Sequence, residues 1–395
     1  MKSIGQKIYL LLFCILTATS ACAYDYDFEV DGFYYKIKSV EDLMCCVVEG
    51  ENVYNGDIVI PGQVTYKGKT LTVIGFGSTF SGNKYITSVT IPNSVSVIDN
   101  GAFKDCTSLT KVVIPNTVIQ IGFDVFRGCS SLTEFTVPSS ILALYSGAFL
   151  HSGLKTLIIE EGENSLSLYG GIGFGVEKLY LGRNLNISGG YVSCFSSNLN
   201  DVTISDSVTR INSILFQGCD GLTNLIIPNS VIEIGERSFE GCSGLTDVTL
   251  GISVDSIGAS AFCDCSKLTR IYSLNPIPPR CDNSAFDTKT YLNTNLYVPV
   301  GSLATYQKAD TWKNFWTIEE VENTGVSLIR TESPGVVYEC DGIMLTGASG
   351  KSLYVYSTSG KNVYMNDRYS GEIISLLSGI YIVKVGDDSL KVSVK

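Results

Sequence analysis

A phenylalanine recurs along most of this chain at a nearly constant spacing. It stands at positions 80, 103, 126 and 149, and after an irregular stretch containing positions 174 and 195 it returns at 216, 239 and 262. The steps are 23, 23, 23, 25, 21, 21, 23 and 23 residues. One unit of this length cannot bury its own apolar face, so a fixed period of about 20 to 50 residues predicts stacked units that share a core.

Two further columns repeat in phase with the phenylalanines. An apolar pair such as Val118 with Ile121 precedes each regular unit's phenylalanine. Three residues after each phenylalanine stand Asn83, Cys106, Cys129, Ser152, Glu177, Asn198, Cys219, Cys242 and Cys265, and Glu177 alone breaks that column. A period of about 20 to 29 residues with a column of Asn or Cys is the signature of a leucine-rich repeat. The sequence therefore predicts a leucine-rich repeat solenoid.

Each unit contains a short segment of strand-forming residues. Leu109, Val112 and Ile114 would point inward from a strand that ends at Pro115, because proline cannot continue a hydrogen-bond ladder. With roughly 4.8 Å per rung, nine rungs predict a solenoid about 40 Å long. We expect one continuous parallel sheet and an irregular convex side.

The composition excludes several classes of function. The chain has 28 Lys and Arg against 39 Asp and Glu, a net charge of −11, so general binding to nucleic-acid phosphates is not expected. The single histidine, His151, is expected in an exposed turn, which argues against histidine-based catalysis and zinc binding. We expect no cofactor and no metal site.

The first 23 residues have the pattern of an export signal. Lys2 and Lys7 precede an apolar run over 8–16, and Ala21 and Ala23 flank a cleavage position. The run is shorter than the roughly 20 apolar residues that span a bilayer, so no transmembrane span is predicted. In the alternative interpretation Cys22 is lipidated.

Several repeat units closely resemble one known family. The segments Gly128-Cys129-Ser130-Ser131-Leu132-Thr133 and Ile227-Pro228-Asn229-Ser230-Val231 are similar to the BspA-like leucine-rich repeats of exported bacterial surface proteins. The resemblance includes an entry segment from Tyr26 and a closing segment with Trp312 and Phe315. It implies adhesion to host matrix proteins or epithelial surfaces, and a secreted or outer-membrane location.

The patterns divide the chain into five segments. These are a signal peptide over 1–23, an N-terminal cap and entry segment over 24–72, the solenoid over 73–274, a C-terminal cap over 275–322 and a last unit over 323–395. The last unit has short alternating strands with glycine turns, which indicates a small all-β, sandwich-like fold. It resembles the C-terminal sorting domain of the type IX secretion route; a generic β-sandwich is the alternative. Strand placement is open over 150–200, where glycines are frequent.

The cysteines are expected to be structural. Removing Cys14 and Cys22 leaves eleven, an odd number, and cysteines stacked one rung apart have parallel side chains unsuited to a disulfide. We therefore expect a buried ladder of reduced side chains, formed by Asn83, Cys106, Cys129, Asn198, Cys219, Cys242 and Cys265.

The outward strand positions are the candidates for binding, because the inward ones are committed to the core. We expect a partner, either a protein or a glycan on a host or neighbouring cell, to contact the concave face at Lys178, Tyr180, Asp247, Arg270 and Tyr272, where aromatic and charged residues coincide. The alternative is that apolar residues such as Ile226 are there because β-branched side chains favour strands.

Two acidic patterns suggest chemistry only weakly. Asp201 and Asp247 would lie roughly 9.6 Å apart, near the upper limit for an inverting glycosidase, but a flat sheet offers no pocket. The alternating acids from Asp25 to Asp31 are explained by a solvated strand as well as by a calcium site. We expect no enzyme; after adhesion, the alternatives are a surface scaffold or glycan-binding module and then a weak hydrolase.

We predict that the mature chain begins at Tyr24, because Ala21 and Ala23 suit a signal-peptidase site and Thr19 does not suit a lipidation signal. N-terminal sequencing of the exported protein measures this directly. A blocked, diacylated Cys22 would show that the lipidation alternative is correct.

Overall fold

The computed structural model describes residues 25–172, 175–188 and 194–321, together with six strands after residue 334. The predicted signal segment 1–23 lies outside the described residues. The chain divides into two compact units, Met1–Val321 and Glu322–Lys395.

The first unit consists almost entirely of short strands. In chain order they begin with β1 (Phe28–Val30), β2 (Phe33–Ser39), β3 (Met44–Val48), β4 (Gly56–Val59), β5 (Gln63–Tyr66), β6 (Lys69–Gly75), β7 (Ile86–Thr90), β8 (Val97–Ile98), β9 (Lys111–Val113), β10 (Gln120–Ile121), β11 (Glu134–Val137), β12 (Ala143–Tyr145) and β13 (Thr156–Ile159). They continue with β14 (Leu166–Tyr169), β15 (Lys178–Leu181), β16 (Leu185–Ser188), β17 (Asp201–Ile204), β18 (Arg210–Ile211), β19 (Asn224–Ile227), β20 (Glu233–Ile234), β21 (Asp247–Leu250), β22 (Ser256–Ile257), β23 (Arg270–Ser273), β24 (Arg280–Cys281), β25 (Asn295–Pro299) and β26 (Thr317–Val321). The helices are α1 (Thr288–Asn293), α2 (Leu303–Tyr306) and a 3-10 turn (Trp312–Asn314).

A five-stranded sheet in the order β1-β2-β3-β6-β5 closes the N-terminal end of the solenoid. The hairpin between β5 and β6 turns at Lys67 and Gly68, both with positive φ, which suits the right-handed twist of paired strands. Tyr35 and Val73 of this sheet are buried in the same core as the first repeats. The cap therefore covers an apolar end that would otherwise face water.

Each repeat contributes one strand to a parallel sheet, which we call the long-strand sheet. It has three blocks in the orders β4-β7-β9, β11-β13-β15-β17 and β19-β21-β23-β25-β26. Register partners such as Asp247 and Arg270 are one repeat apart. The predicted parallel solenoid is confirmed. The sheet has twelve strands among the described residues, where nine rungs were expected, because β4 of the entry segment and β25 and β26 of the closing segment join it. It is also divided into blocks, where one continuous sheet was expected.

The return leg of each repeat forms a second parallel sheet, the short-strand sheet. Its two blocks have the orders β16-β14-β12-β10-β8 and β18-β20-β22-β24. Ile98, Ile121 and Leu144 point from it into the core and are fully buried. The side that the sequence predicted to be irregular thus has its own repeating pairing, and the second member of each apolar pair provides its inward contact.

The repeating phenylalanines stack face to face along the solenoid. The centroids of neighbouring rings are 5.6 to 5.7 Å apart, with interplanar angles of 3 to 11°, along the series Phe80, Phe103, Phe126 and Phe149. The stack resumes from Phe195 through Phe216, Phe239 and Phe262 to Phe286, at 5.3 to 5.7 Å; Phe174 lies outside the described residues. Stacking requires that the phenylalanine occupy the same position in every turn, so the number of residues per repeat is constrained.

Residues with a left-handed backbone conformation form the turns on both sides of the phenylalanine in the regular repeats. Gly101 and Asp105 flank Phe103 with φ of 64 and 58°, and Gly128 and His151 occupy the same position in later turns. Asp and His tolerate this conformation better than most side chains, and glycine adopts it freely. His151 is exposed and serves as a turn residue here.

A ladder of thiol hydrogen bonds runs beside the phenylalanines. The Sγ atoms of Cys106, Cys129 and Cys242 donate to the carbonyl oxygens of Phe80, Phe103 and Phe216 at 2.9, 3.0 and 3.2 Å. Cys265 donates in the same way to Phe239, and Cys219 is fully buried. Every cysteine that the structure describes is a free thiol. Cys106, Cys129, Cys242 and Cys265 therefore each satisfy a carbonyl of the preceding rung.

Burial keeps these thiols protonated. It raises the pKa of Cys106 and of Cys242 to about 12, and it also raises the pKa of Cys129. Only the protonated thiol can donate to a carbonyl, so the desolvation and the hydrogen bond support the same state.

The two asparagines assigned to the ladder differ from each other. Asn83 donates its Nδ2 to the carbonyl oxygen of Tyr54 at 2.8 Å, as the thiols do for their own preceding rung. Asn198 is exposed and does not occupy a buried position. It follows Phe195, between the two 21-residue steps, where the spacing differs from the rest of the repeat.

The closing segment fills the C-terminal end with aromatic side chains. Trp312 is fully buried and donates its Nε1 to the carbonyl oxygen of Pro279 at 2.7 Å. Phe315 meets Phe286, the last ring of the stack, edge to face at 5.3 Å. This segment therefore caps the ring stack while β25 and β26 extend the long-strand sheet.

The second unit contains antiparallel strands. Its strands are β27 (Gly335–Glu339), β28 (Gly342–Thr346), β29 (Leu353–Ser357), β30 (Asn362–Asn366), β31 (Gly379–Val385) and β32 (Asp388–Val394). β27 pairs with β28, and a four-stranded sheet has the order β30-β29-β31-β32. The alternating segments predicted around Val355, Tyr364 and Ile382 correspond to β29, β30 and β31.

Replacing Cys242 should show what the thiol ladder contributes. Cys242→Leu should lower the free energy of unfolding by about 2 to 4 kcal/mol, because it overfills a fully buried turn and leaves the Phe216 carbonyl without its donor. Cys242→Asn should cost less, since Asn83 shows that an amide can donate at this position. Urea unfolding of both variants measures the difference; equal losses would contradict the role of the donor.

Candidate ligand-binding surface

The outer side of the long-strand sheet is a band of side chains that the core does not use. Lys111, Glu134, Lys178 and Asp201 are exposed along it. Between these charges the apolar side chains of Val113 and Ile226 are 43% and 51% exposed. Inward neighbours in the same strands pack into the core, and Leu225 is fully buried, so the two faces of the sheet are distinct.

An ion pair joins two of the predicted binding residues. Asp247 of β21 and Arg270 of β23 are register partners, and the Arg270 Nε donates to Oδ1 of Asp247. Thr246 donates its hydroxyl to Oδ2 of the same carboxylate at 2.7 Å. The hydrogen bond to Asp247 raises the pKa of Arg270. Because the Arg270 side chain is 41% exposed, it can still contact a partner.

Tyr272 was predicted to be an exposed anchor without a part in packing, and this is wrong. Its exposed fraction is 6%, and burial raises the pKa of its hydroxyl. Tyr297 of β25 stacks on it, with ring centroids 4.7 Å apart and planes 16° from parallel. Tyr297 lies in the segment predicted as the C-terminal cap, outside the regular period, so its place on the next rung is not evident from the sequence. Tyr297 itself is only half-buried and is the accessible member of the pair.

Lys178 and Tyr180 lie on β15, apart from the Asp247 pair. Lys178 is exposed, whereas Tyr180 is half-buried and donates its hydroxyl to Oε1 of Glu161 at 2.6 Å. Ser205 donates to the same oxygen at 2.9 Å. Strands β17 and β19 separate this group from β21, so the structure places the five predicted residues in two groups and not in one site.

The carboxylate pair considered for hydrolysis does not form a catalytic arrangement. Asp201 and Asp247 lie on β17 and β21, with exposed Asn224 of β19 between them. Asp247 is engaged by Arg270 and Thr246, while Asp201 stands on the open face of the sheet. An inverting glycosidase needs both carboxyl groups free to act on one substrate, and Asp247 is already held by Arg270 and Thr246.

Acidic side chains of the entry segment, which were considered as a calcium site, have partners within the protein. Asp25 and Asp27 form ion pairs with Lys36, and Glu29 accepts a hydrogen bond from the backbone N–H of Gly32. Elsewhere, ligand atoms of Cys263, Asp264 and Asp287 lie within 4.8 Å of one another.

Asp287 already accepts two hydrogen bonds in the cluster with Cys263 and Asp264. Its Oδ1 accepts from the Thr290 N–H as the N-cap of α1, and its Oδ2 accepts from the Asp264 N–H. The arrangement of this cluster is thus accounted for by the turn and the helix cap.

Within the described parts of the chain, none of the helices is long and apolar enough to pass through a bilayer.

The repeat sequence matches a known family over more than half of the chain. Six copies of a BspA type leucine rich repeat region match residues 63–169 and 190–303. The chain belongs to the BspA-type leucine-rich repeat family. This membership accords with the stacked phenylalanines and the thiol ladder, which repeat once per turn. Among curated proteins no match is found.

Several solved structures are similar to this BspA-type chain. A leucine-rich repeat protein from Bacteroides ovatus is 21% identical, covering 75% of this chain and all of that one, with a TM-score of 0.36. A leucine rich cell surface protein from Faecalibacterium prausnitzii is 17% identical, covering 75% and 95%, with a TM-score of 0.30. The pneumococcal vaccine antigen PcpA is 16% identical, covering 75% and 98%, with a TM-score of 0.28.

We predict that Tyr272→Ala lowers the free energy of unfolding by about 1 to 3 kcal/mol, because it removes a buried ring and uncovers Tyr297. Tyr180→Ala is the matched control on the same face and should cost less, since its ring is only half-buried. Thermal and urea unfolding measure both changes. Equal stability of the Tyr272 variant and the parent would show that the burial contributes nothing.

Proposed function

We propose that this BspA-type protein is exported and acts at the cell surface as a non-enzymatic binding protein. Its partner is a protein on a host or neighbouring cell, and the outer side of the long-strand sheet holds that partner. The observation that carries the proposal is the band of exposed charged and apolar side chains on a sheet whose inward residues belong to the core. Membership of the BspA-type family supports an interaction role.

The composition of this band favours a broad interface. Ile226 is 51% exposed two residues from Asn224, which is the register partner of Asp247, so apolar area adjoins groups that can form charged hydrogen bonds. Interfaces typically combine an apolar centre with a polar rim, and arginine and tyrosine are frequent among their energetically dominant residues. Arg270 and Tyr297 are the accessible residues of these types at the C-terminal end of the band.

We propose the export route from the two ends of the chain. The residues 1–23 have the pattern of a signal peptide, and the residues 323–395 resemble a type IX sorting domain. The antiparallel strands β27 to β32 are compatible with that resemblance. Scaffolding on the cell surface would use the same exposed band.

The proposal can be tested with paired variants of exposed isoleucines. Labelled mature protein is bound to cultured epithelial cells, and captured cell-surface proteins are identified by cross-linking. Ile226→Asp should weaken binding about tenfold, because it places an unpaired charge in the middle of the interface. Ile277→Asp is the matched control, since Ile277 is 73% exposed but lies outside the long-strand sheet.

Lys178→Glu should reduce the association rate and change its salt dependence. All of these positions are exposed, so the melting temperature should not move. The proposal is wrong if Ile277→Asp abolishes binding while Ile226→Asp and Lys178→Glu bind as the parent does.

A further inference from the structure

The short-strand sheet is interrupted between β16 and β18. In the regular turns, the backbone N–H just before the short strand donates to the carbonyl one turn earlier. Leu142 donates to Ile119 at 2.7 Å in this way, and Ile232 donates to Thr209 at 2.8 Å. At the interruption, the N–H of Thr209 donates to the side-chain Oδ1 of Asn184 at 2.9 Å. A side chain therefore replaces the backbone of the preceding turn.

Asn184 holds this arrangement with three hydrogen bonds. Its Oδ1 also accepts from the Arg210 N–H at 3.3 Å, and its Nδ2 donates to the Thr209 hydroxyl at 2.9 Å. The amide thus satisfies two N–H groups at the start of β18 without pairing of β16 with β18. The interruption is consequently a built feature of the fold and not a frayed end.

A cavity of about 250 Å³ lies at the interruption. Its polar wall combines two amides, a guanidinium, a carboxylate and a hydroxyl, from Asn186, Arg210, Asn212, Glu233 and Ser213. Ile187 supplies a half-buried apolar contact. The cavity is smaller than the roughly 300 to 1,000 Å³ typical of sites for drug-sized molecules, so one small ring would fill it.

The polar side chains around this cavity are not used by the fold. Arg210 and Glu233 are register partners in β18 and β20, yet they form no ion pair with each other. In the part of the chain that the structure describes, the side chains of all five polar residues make no hydrogen bond or ion pair to another residue. By contrast, Arg280 of β24 pairs with Asp255 at 2.5 Å. The donors and acceptors at the interruption are therefore available to a ligand.

An uncharged aromatic stripe leads to the cavity across the short-strand sheet. Tyr145 and Tyr169 stack with ring centroids 4.5 Å apart, and Phe123 contacts Tyr145 at 4.7 Å. Phe123 and Tyr169 are 46% and 38% exposed. Tyr169 is the register partner of Ser188, in the same strand as Asn186.

The outward positions beside these rings carry no charge. They are Gln120, Ala143 and Ser167, one on each of β10, β12 and β14. An extended ligand on this stripe therefore meets aromatic edges, amides and hydroxyls.

We propose that the cavity binds one pyranose ring of a neutral glycan and that the sugars linked to it run over Tyr169 and Tyr145. A sugar hydroxyl both donates and accepts, which matches a wall that has amides, a guanidinium and a carboxylate within one ring's reach. One Arg and one Glu leave the wall with no net charge, which favours a neutral sugar. A peptide would favour an apolar pocket or a free strand edge, whereas this wall is mostly polar and Asn184 takes up the Thr209 and Arg210 N–H groups at the start of β18.

This site is separate from the surface proposed for protein binding, because it lies on the other sheet. The purified mature protein is titrated with neutral hexoses, N-acetylhexosamines and their linear tetrasaccharides. Calorimetry and saturation-transfer NMR measure the binding. One arm uses neutral host-type glycans that end in galactose or N-acetylglucosamine. The other arm uses neutral fragments of bacterial polysaccharides, so the two sources are distinguished.

Asn186→Ala and Arg210→Ala should each weaken sugar binding about tenfold, because each removes donors to a bound hydroxyl. Asn116→Ala is the matched control on an exposed asparagine away from the cavity and should have no effect. Tyr169→Ala should weaken the tetrasaccharide more than the monosaccharide, since only the longer ligand reaches the stripe. Lys178→Glu should leave sugar binding unchanged, which separates this site from the long-strand sheet.

The proposal is overturned if no sugar in either arm binds, or if binding survives both cavity variants unchanged. It is also overturned if the ligand captured at these residues is an unglycosylated peptide. Loss of sugar binding in Lys178→Glu alone would place the glycan on the long-strand sheet and contradict the cavity.

Discussion

Every turn of this protein depends on the next turn to bury its apolar residues. Leu132, Ile141 and Phe126 belong to one turn and are fully buried, but a strand of four residues and its return leg enclose no volume by themselves. Backbone hydrogen bonds from turn to turn fix the separation, as when the Phe126 N–H donates to the Ala148 carbonyl at 2.8 Å. The rings of successive turns stack with centroids 5.6 to 5.7 Å apart, so backbone pairing and ring packing both limit the spacing of the turns.

This constraint limits the residue types at several corners of each turn. Where the chain takes a left-handed conformation beside the ring, Gly, Asp or His stands at most corners, as at Gly128 and His151, whereas Ile214, Arg237 and Ser260 adopt the same conformation in later turns. Gly244 has a different reason, because a Cβ there would lie 2.1 Å from the carbonyl oxygen of Asp220 in the preceding turn. The thiols fill corners that are too narrow for a large polar side chain and still provide one hydrogen-bond donor. A residue in this solenoid is therefore restricted mainly by the turn before it.

Departures from the spacing coincide with the features available for function. The return legs separate between β16 and β18, close to the 21-residue steps around Phe195, and polar side chains line the resulting cavity. At the C-terminal end, the closing segment adds β25 to the long-strand sheet and brings Tyr297 over Tyr272. Irregular turns relax the packing requirement, so their side chains can differ from the column. These positions are where recognition of a partner can be built without disturbing the core.

The sequence alone was sufficient for the repeat, the fold class, the family and the inward columns, since each depends on a local period. It also indicated that Cys106, Cys129 and Cys242 share one corner. It could not reveal that Tyr272 is covered, because Tyr297 arrives from a segment outside the regular period. It could not reveal the cavity at Asn186 and Arg210. Those features depend on which strands of neighbouring turns form hydrogen bonds and which do not. That is decided by contacts between residues of different repeats.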